Sequence, residues 1–207
     1  METKQLFLSD VTDEEFNAIY DVVKSINKEH IDYLEIGCNA GGTLVRLLNK
    51  SNKENINVHL TGIDLFEDIV YETQNPKEQT HRHSEDYINT AKKYELEYEL
   101  MRNGFSNKFE LIKGYSDNIV PLLDKNFDVI FVDGNHTYKQ CKKDLYLSFE
   151  KSKIGSYFIF HNAGIEEVEP YYPDGGPYKV CEELKQNKNL EYVGKPTKRV
   201  KVFKRIK

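Results

Sequence analysis

The sequence predicts an α/β fold: a doubly wound, mostly parallel sheet of seven strands with helices on both faces, closed by an antiparallel C-terminal hairpin. Three observations carry that expectation. Short apolar runs alternate five times with helically spaced segments, the pattern of parallel strands joined by right-handed crossovers. The run Phe127-Asp128-Val129-Ile130-Phe131-Val132 is almost wholly apolar, as a strand covered on both faces must be. Residues 190–193 and 199–206 flank a Gly194-Lys195-Pro196 turn and read as the closing hairpin.

Each element follows from its own pattern. Residues 12–28 open with a capping box, Thr12 and Glu15, and then set Phe16, Ile19, Tyr20, Val23 and Ile26 on one helical face. This helix, within residues 1–30, is a cover or lid, and it suits the interface of a homodimer equally well. A strand at 33–37 leads to a helix at 43–49 with Leu44, Leu47 and Leu48 on one side. A strand at 58–63 leads to a long segment whose first part, 66–83, is polar and aperiodic and reads as a lid loop. Its second part, 84–103, places Tyr87, Ala91, Tyr94, Tyr98 and Met101 at helical spacing, with Gly104 as a stop. A strand at 109–113 precedes a short helix at 116–123. The strand at 127–132 precedes a helix with Tyr138, Cys141, Leu145 and Phe149 on one face. After a strand at 156–160, a Gly/Pro-rich loop, with 165–178 on the acceptor side, gives way to a helix that Pro177 opens.

The 207 residues suit one domain spanning 1–207, and no interdomain linker interrupts them. The 14 Tyr and 11 Phe supply burial that disordered chains lack. With 29 Lys+Arg against 34 Asp+Glu and a net charge of −5, a polyanion is not the expected partner, because nucleic-acid binding rests on clustered cations. Cys38, Cys141 and Cys181 form no CxxC pair, which fits a reducing compartment. No apolar stretch approaches the roughly 18 residues of a membrane span, and the first ten residues are too polar for a signal peptide. A cytoplasmic protein with no membrane partner is expected.

In such sheets ligands bind at the carboxyl ends of the strands. At the first of these ends stands Glu35-Ile36-Gly37-Cys38-Asn39-Ala40-Gly41-Gly42-Thr43. Glycines here bring the backbone close to a ligand at a helix start. The spacing is not the G-x-G-x-x-G of dinucleotide sites, which disfavours a nicotinamide oxidoreductase, and Glu35 suits a ligand bearing an ammonium and a sulfonium better than a pyrophosphate. At the next strand end, in Thr61-Gly62-Ile63-Asp64-Leu65, Asp64 is placed to accept both hydroxyls of a ribose; its other role is a helix cap.

These motifs resemble those of the class I S-adenosylmethionine-dependent methyltransferases, a Rossmann-like family, along nearly the whole chain. The resemblance implies that Glu35, Gly37, Asn39, Gly41, Gly42 and Thr43 hold the methionine end of S-adenosylmethionine. It implies that Asp64 with Leu65 holds the ribose, and that Tyr115, Ser116 and Asp117 edge the adenine.

Two further strand ends narrow the chemistry: Val132-Asp133-Gly134-Asn135-His136-Thr137-Tyr138 and Phe160-His161-Asn162-Ala163-Gly164. Asp133 and the His161-Asn162 pair cap successive parallel strands and are positioned to converge on one ion. Carboxylate, carboxamide and water oxygens suit Mg²⁺, while an imidazole widens the choice to Mn²⁺, Fe²⁺ or Zn²⁺. His136 is placed as a base near neutral pH, or as a loop histidine bonded to backbone; His161 is a ligand or a structural residue. The Val-Asp-Gly-Asn-His-Thr-Tyr run is similar to the Asp-Gly-Asp-His-Ser-Tyr motif of macrocin-type O-methyltransferases, which resemble catechol O-methyltransferases. That similarity implies a cation held by Asp133 and Asn162, with Asp133 also beside the cofactor and His161 standing where an acidic residue is usual. A small-molecule or sugar hydroxyl is the acceptor it implies.

Two rivals stand beside this reading. A nucleic-acid methyltransferase would carry a basic cleft and an Asn-Pro-Pro-Tyr motif, where this chain has Asp-Gly-Asn-His. A non-catalytic module binding S-adenosylmethionine or a nucleotide would show no metal dependence. Among weaker signals, His81 and His83 read as part of the lid loop before a metal clip. Residues 173–178 wall an acceptor pocket or simply join strand to helix. Lys195, Lys198, Arg199, Lys201, Lys204, Arg205 and Lys207 read as exposed charges guarding a strand pair.

Overall fold

The computed structural model describes residues 9–66, 93–165 and 172–207. Seven strands form one sheet: β1 (Ile31–Ile36), β2 (Val58–Asp64), β3 (Phe109–Lys113), β4 (Phe127–Val132), β5 (Ser152–Phe160), β6 (Leu190–Gly194) and β7 (Lys201–Arg205). Their order is β3-β2-β1-β4-β5-β7-β6. The pairs β1–β2, β1–β4, β2–β3 and β4–β5 are parallel, and β7 runs antiparallel to both β5 and β6. Strand order reverses direction between β1 and β4, which opens a crevice at their carboxyl ends.

The helices are α1 (Asp13–Lys24), α2 (Gly42–Lys53), α3 (Lys93–Arg102), α4 (Ser116–Ile119), α5 (Tyr138–Phe149) and α6 (Gly176–Leu184). Pro121 falls in a 3₁₀ turn, Val120–Leu122, that follows α4. Strand alternation sends side chains into two cores. Ile31, Tyr33, Val129 and Phe131 join residues of α1, α2 and α3, whereas Leu34, Ile36, Ile130 and Val132 join residues of α5 and α6. The helices therefore cover both faces, and every residue of β4 is buried, as its apolar run predicts.

α1 begins where the capping box places it. Glu15 N donates to Thr12 Oγ1 at 3.3 Å, and Thr12 N donates to Glu15 Oε2 at 2.8 Å. Phe16, Ile19, Tyr20 and Val23 are buried, each side chain worth roughly 1.5 to 3 kcal/mol once removed from water. The helix ends at Lys24, so Ile26 packs only at the margin of the core.

Two expectations are corrected. In α3 the buried residues are Leu96 and Leu100, while Tyr94, Tyr98 and Met101 are exposed. The reason is steric: the Leu96 side chain presses on Gly41 so closely that a Cβ there would come within 2.4 Å of it. Tyr87, Ala91, His81 and His83 lie outside the described residues, as does the lid segment beyond Phe66. The basic terminus is also not a uniformly solvated edge. Lys201 is buried and pairs with Glu182 at 2.8 Å, and Arg205 Nη1 donates to the carbonyls of Phe149 and Ser152. Arg199 reaches Asn162.

Cys38, Cys141 and Cys181 are free and buried. Among the described residues no helix is long and apolar enough to cross a membrane.

Candidate active site

The loop after β1 turns through three left-handed residues, Gly37 (φ 86°), Asn39 (φ 45°) and Gly41 (φ 78°). Gly37 is fixed by more than its backbone. A Cβ there would stand 2.4 Å from the Asp133 carbonyl oxygen and 2.5 Å from Gly134 Cα, so only glycine lets the β1 and β4 loops touch. Gly41 is the N-cap of α2 and offers no side-chain acceptor, and the first turn of α2 carries no acid. Its leading amides are thus open to an anionic group of a ligand. Gly42 and Thr43 are buried in that turn, and Thr43 Oγ1 lies 3.2 Å from Ser9 Oγ.

Glu35 is 1% exposed and takes a hydrogen bond from Tyr33 Oη at 3.2 Å. Burial pushes its carboxyl well above the usual range, and the nearby charge of Asp133, with that of Asp64, adds to the rise. Asp64, at the tip of β2, braces the loop: Asn39 N donates to its Oδ2 and Phe66 N to its Oδ1, both at 2.9 Å. Each oxygen keeps a lone pair for a further donor. Leu65 is half-buried beside it.

The third strand end differs from the other two. Tyr115 is 65% exposed and free to edge a planar ligand. Ser116 instead turns its hydroxyl to α5, donating to Asp144 Oδ1 at 2.6 Å, and Asp117 accepts from Gln140 Nε2 at 2.8 Å and pairs with Lys143.

At the ends of β4 and β5 the expected residues meet. Asp133 Oδ1 receives His161 Nδ1 at 2.8 Å and His136 Nε2 at 3.1 Å. With both imidazoles donating to that oxygen, His136 Nδ1 is the acceptor of Tyr172 Oη at 2.9 Å and Asn162 Nδ2 at 3.2 Å. Burial alone would raise the Asp133 pKa, yet the charge and hydrogen bonds of His161 and His136 hold it far below the usual carboxylate range. Burial alone would lower the His161 pKa; the Asp133 charge and hydrogen bond, with the Glu15 carboxylate nearby, raise it to about 9.

Asn162 sits in the left-handed region at φ 48°. Its Oδ1 accepts from Arg199 Nη2, so its amide nitrogen, not its oxygen, faces His136. The loop that carries His136 is held by Asn135 Oδ1, which accepts from Thr137 N at 2.9 Å, and by Thr137 capping α5. Residues 173–178 pack against this loop: Tyr138 N donates to Asp174 Oδ2 at 2.8 Å, and a Cβ on Gly176 would lie 2.9 Å from the His136 carbonyl oxygen.

Three participants escape the sequence: Tyr172, Arg199 and Glu15. Tyr172 had shown only as part of the 165–178 loop on the acceptor side, Arg199 only among the terminal cations, and Glu15 only as half of a capping box. Burial alone would raise the Glu15 pKa, but the neighbouring His161 imidazole, the Thr12 amide as hydrogen-bond donor and the charges of His161 and Arg199 outweigh it and bring it down to about 2.

The residues fit the groups the fold calls for. Glu35, Asp64 and Asp133 place three carboxyl groups around one loop, an environment in which a cationic ligand favours their ionised forms, while Asp64 offers acceptors to a diol. Ligand atoms of Asp133, His136 and His161 lie within 4.8 Å of one another. One carboxylate and two imidazoles suit Mn²⁺, Fe²⁺ or Zn²⁺ better than a set made only of oxygens.

The Methyltransferase domain family, number 24 of that name, matches residues 34–163, from within β1 to just past Asn162. Uncharacterized protein R132 of Acanthamoeba polyphaga mimivirus is 27% identical over 150 residues, covering 70% of this chain; the chain spans 57% of that relative's length. Among solved structures, the O-methyltransferase NovP is similar at 15% identity with TM-score 0.71, covering 94% of this chain and 80% of NovP. The O-methyltransferase TomG from Streptomyces achromogenes, in complex with SAM, is similar at 16% identity and TM-score 0.62, over 98% of this chain and 82% of TomG. The O-methyltransferase from Bacillus cereus, in complex with SAH, gives 14% and 0.64 over 98% and 84%. These likenesses establish the fold, and the match across β1 to β5 establishes the family: the chain belongs to the Methyltransferase domain family.

Proposed function

We propose that this protein transfers a methyl group from S-adenosylmethionine to a hydroxyl oxygen of a small molecule or sugar, assisted by a divalent cation. The observation that carries the reading is the contact of Gly37 with Asp133. It makes the loop suited to the donor and the cluster suited to the acceptor two sides of one wall.

Bound S-adenosylmethionine supplies a methyl group that is already electrophilic, so the chain has chiefly to align two reactants. In this reading Glu35 and the open amides of α2 serve the amino-acid end, and Asp64 serves the ribose. Asp133 and His161 would hold a divalent cation, which would supply polarisation that lowers the pKa of an acceptor hydroxyl. Asp133 faces His136 Nε2, which leaves Nδ1 as the atom that takes the proton from the acceptor. That orientation favours His136 as the base over His136 as a third ligand. The net charge of −5 supports a small acceptor over a nucleic acid.

Calorimetry with S-adenosylmethionine, followed by methylation of a panel of hydroxyl compounds with and without chelator, tests this. Cofactor binding and chelator-sensitive turnover are expected. Absence of cofactor binding overturns the whole reading, and chelator-insensitive turnover removes the cation and leaves His136.

A further inference from the structure

Glu15 belongs to no strand-end loop, yet its side chain is buried against the cluster. Oε2 accepts from Thr12 N at 2.8 Å and from Thr12 Oγ1 at 2.9 Å, and it stands 3.5 Å from His161 Nε2. Oε1 stands 3.5 Å from Arg199 Nη1, and Arg199 Nη2 donates to Asn162 Oδ1. One carboxylate from α1 therefore faces both residues at the tip of β5, His161 directly and Asn162 through Arg199.

His161 Nε2 is buried and has no hydrogen-bond partner among the described residues; at 3.5 Å the Glu15 contact is longer than a hydrogen bond. The opposite nitrogen, Nδ1, points at Asp133. An imidazole that gives one nitrogen to a metal ion donates the N–H of the other to an acceptor, often a carboxylate. That partner fixes the ring and strengthens it as a ligand.

We infer that Glu15 is a positioning residue for a cation site at Asp133 and His161: it orients the imidazole so that Nδ1 faces the ion, and through Arg199 it sets the rotation of the Asn162 amide. The inference rests on the cation-assisted reading above. Because the same carboxylate closes the capping box of α1, occupation of the site and docking of α1 reinforce each other reciprocally.

The test uses the full chain with Mn²⁺ and Zn²⁺, each alone, followed by calorimetry, thermal melting and hydrogen exchange. Glu15→Gln keeps the capping box, since glutamine serves in it as glutamate does, but removes the charge facing His161. It is expected to melt near wild type and to bind either ion about 10- to 100-fold more weakly. Thr12→Ala weakens the cap and keeps the carboxylate: a lower Tm with unchanged ion affinity is expected. In the wild-type protein, saturating Mn²⁺ is expected to slow amide exchange in α1. The inference is overturned if Glu15→Gln binds as tightly as wild type, or if Thr12→Ala loses as much affinity as Glu15→Gln. Should Glu15→Gln not fold, unchanged α1 exchange in ion-saturated wild type overturns it. Wild-type protein that binds neither ion overturns the cation-assisted reading and this inference with it.

Discussion

The Asp133 carbonyl oxygen lies where a side chain on Gly37 would have to begin, 2.4 Å from the ideal Cβ position. Gly37 also holds φ at 86°. Gly37→Ala therefore combines left-handed strain with a backbone collision, and a loss of roughly 2 to 4 kcal/mol is expected. Urea unfolding measures it; a stability within 1 kcal/mol of wild type, to order of magnitude, would show that the two loops part easily.

Asp64 braces the glycine loop and in the proposed reading also serves the ribose. Asp64→Ala is expected to weaken S-adenosylmethionine by roughly 1.5 to 3 kcal/mol, the scale of a charge-assisted hydrogen bond, which is about 10- to 100-fold in calorimetric Kd. Unchanged affinity refutes the ribose assignment.

Tyr172 Oη lies 2.9 Å from His136 Nδ1, the position that the proposed mechanism gives to an acceptor hydroxyl. Tyr172→Phe removes this internal competitor. A lower KM for the methylated hydroxyl compound is expected, at a stability cost of about 1 kcal/mol for the lost hydrogen bond. A raised KM in steady-state kinetics would mean that the phenol helps to hold the acceptor.

Stability should depend on pH on both sides of a plateau. The His161 pKa is raised from 6.5 to about 9, so folding favours its charged form. That contribution is complete below pH 6.5 and lost as pH rises through 9. The Glu15 pKa is lowered from 4.5 to about 2; its contribution is complete above pH 4.5 and lost as pH falls towards 2. His161→Gln should therefore flatten the alkaline limb of the urea midpoint against pH. An alkaline limb of the same slope in that variant would assign the loss to other groups.

The strands were readable because their evidence is local. Residues 109–113 and 127–132 are bounded by polar or turn residues and emerge as β3 and β4 without a shift. The loops at the ends of β1, β2, β4 and β5 follow from topology, so Asp64, Asp133, His136 and His161 were nameable in advance. The inward face of α3 was not. Tyr94, Tyr98 and Met101 satisfy helical spacing as well as Leu96 and Leu100 do, and only the tight seat beside Gly41 selects the leucines. Glu15 was visible as a cap, but its second neighbour, His161, comes from the tip of β5, far away in the sequence. Arg199 looked like one of several surface cations because nothing local distinguishes it from Lys198.

The ion pair of Glu15 with Arg199 joins residues separated by nearly the whole described chain. Contacts of such sequence separation form late, after the entropy of closing the intervening loop has been overcome. β7, which follows Arg199, also pairs with β5 on the side away from β4. A folding intermediate lacking β7 would thus hold Asp133 and His136 on a formed strand end while β5 remained an open edge and Asn162 lacked its guanidinium. Assembly of the candidate site is in this way coupled to completion of the sheet, so a molecule lacking β7 does not present a finished cluster.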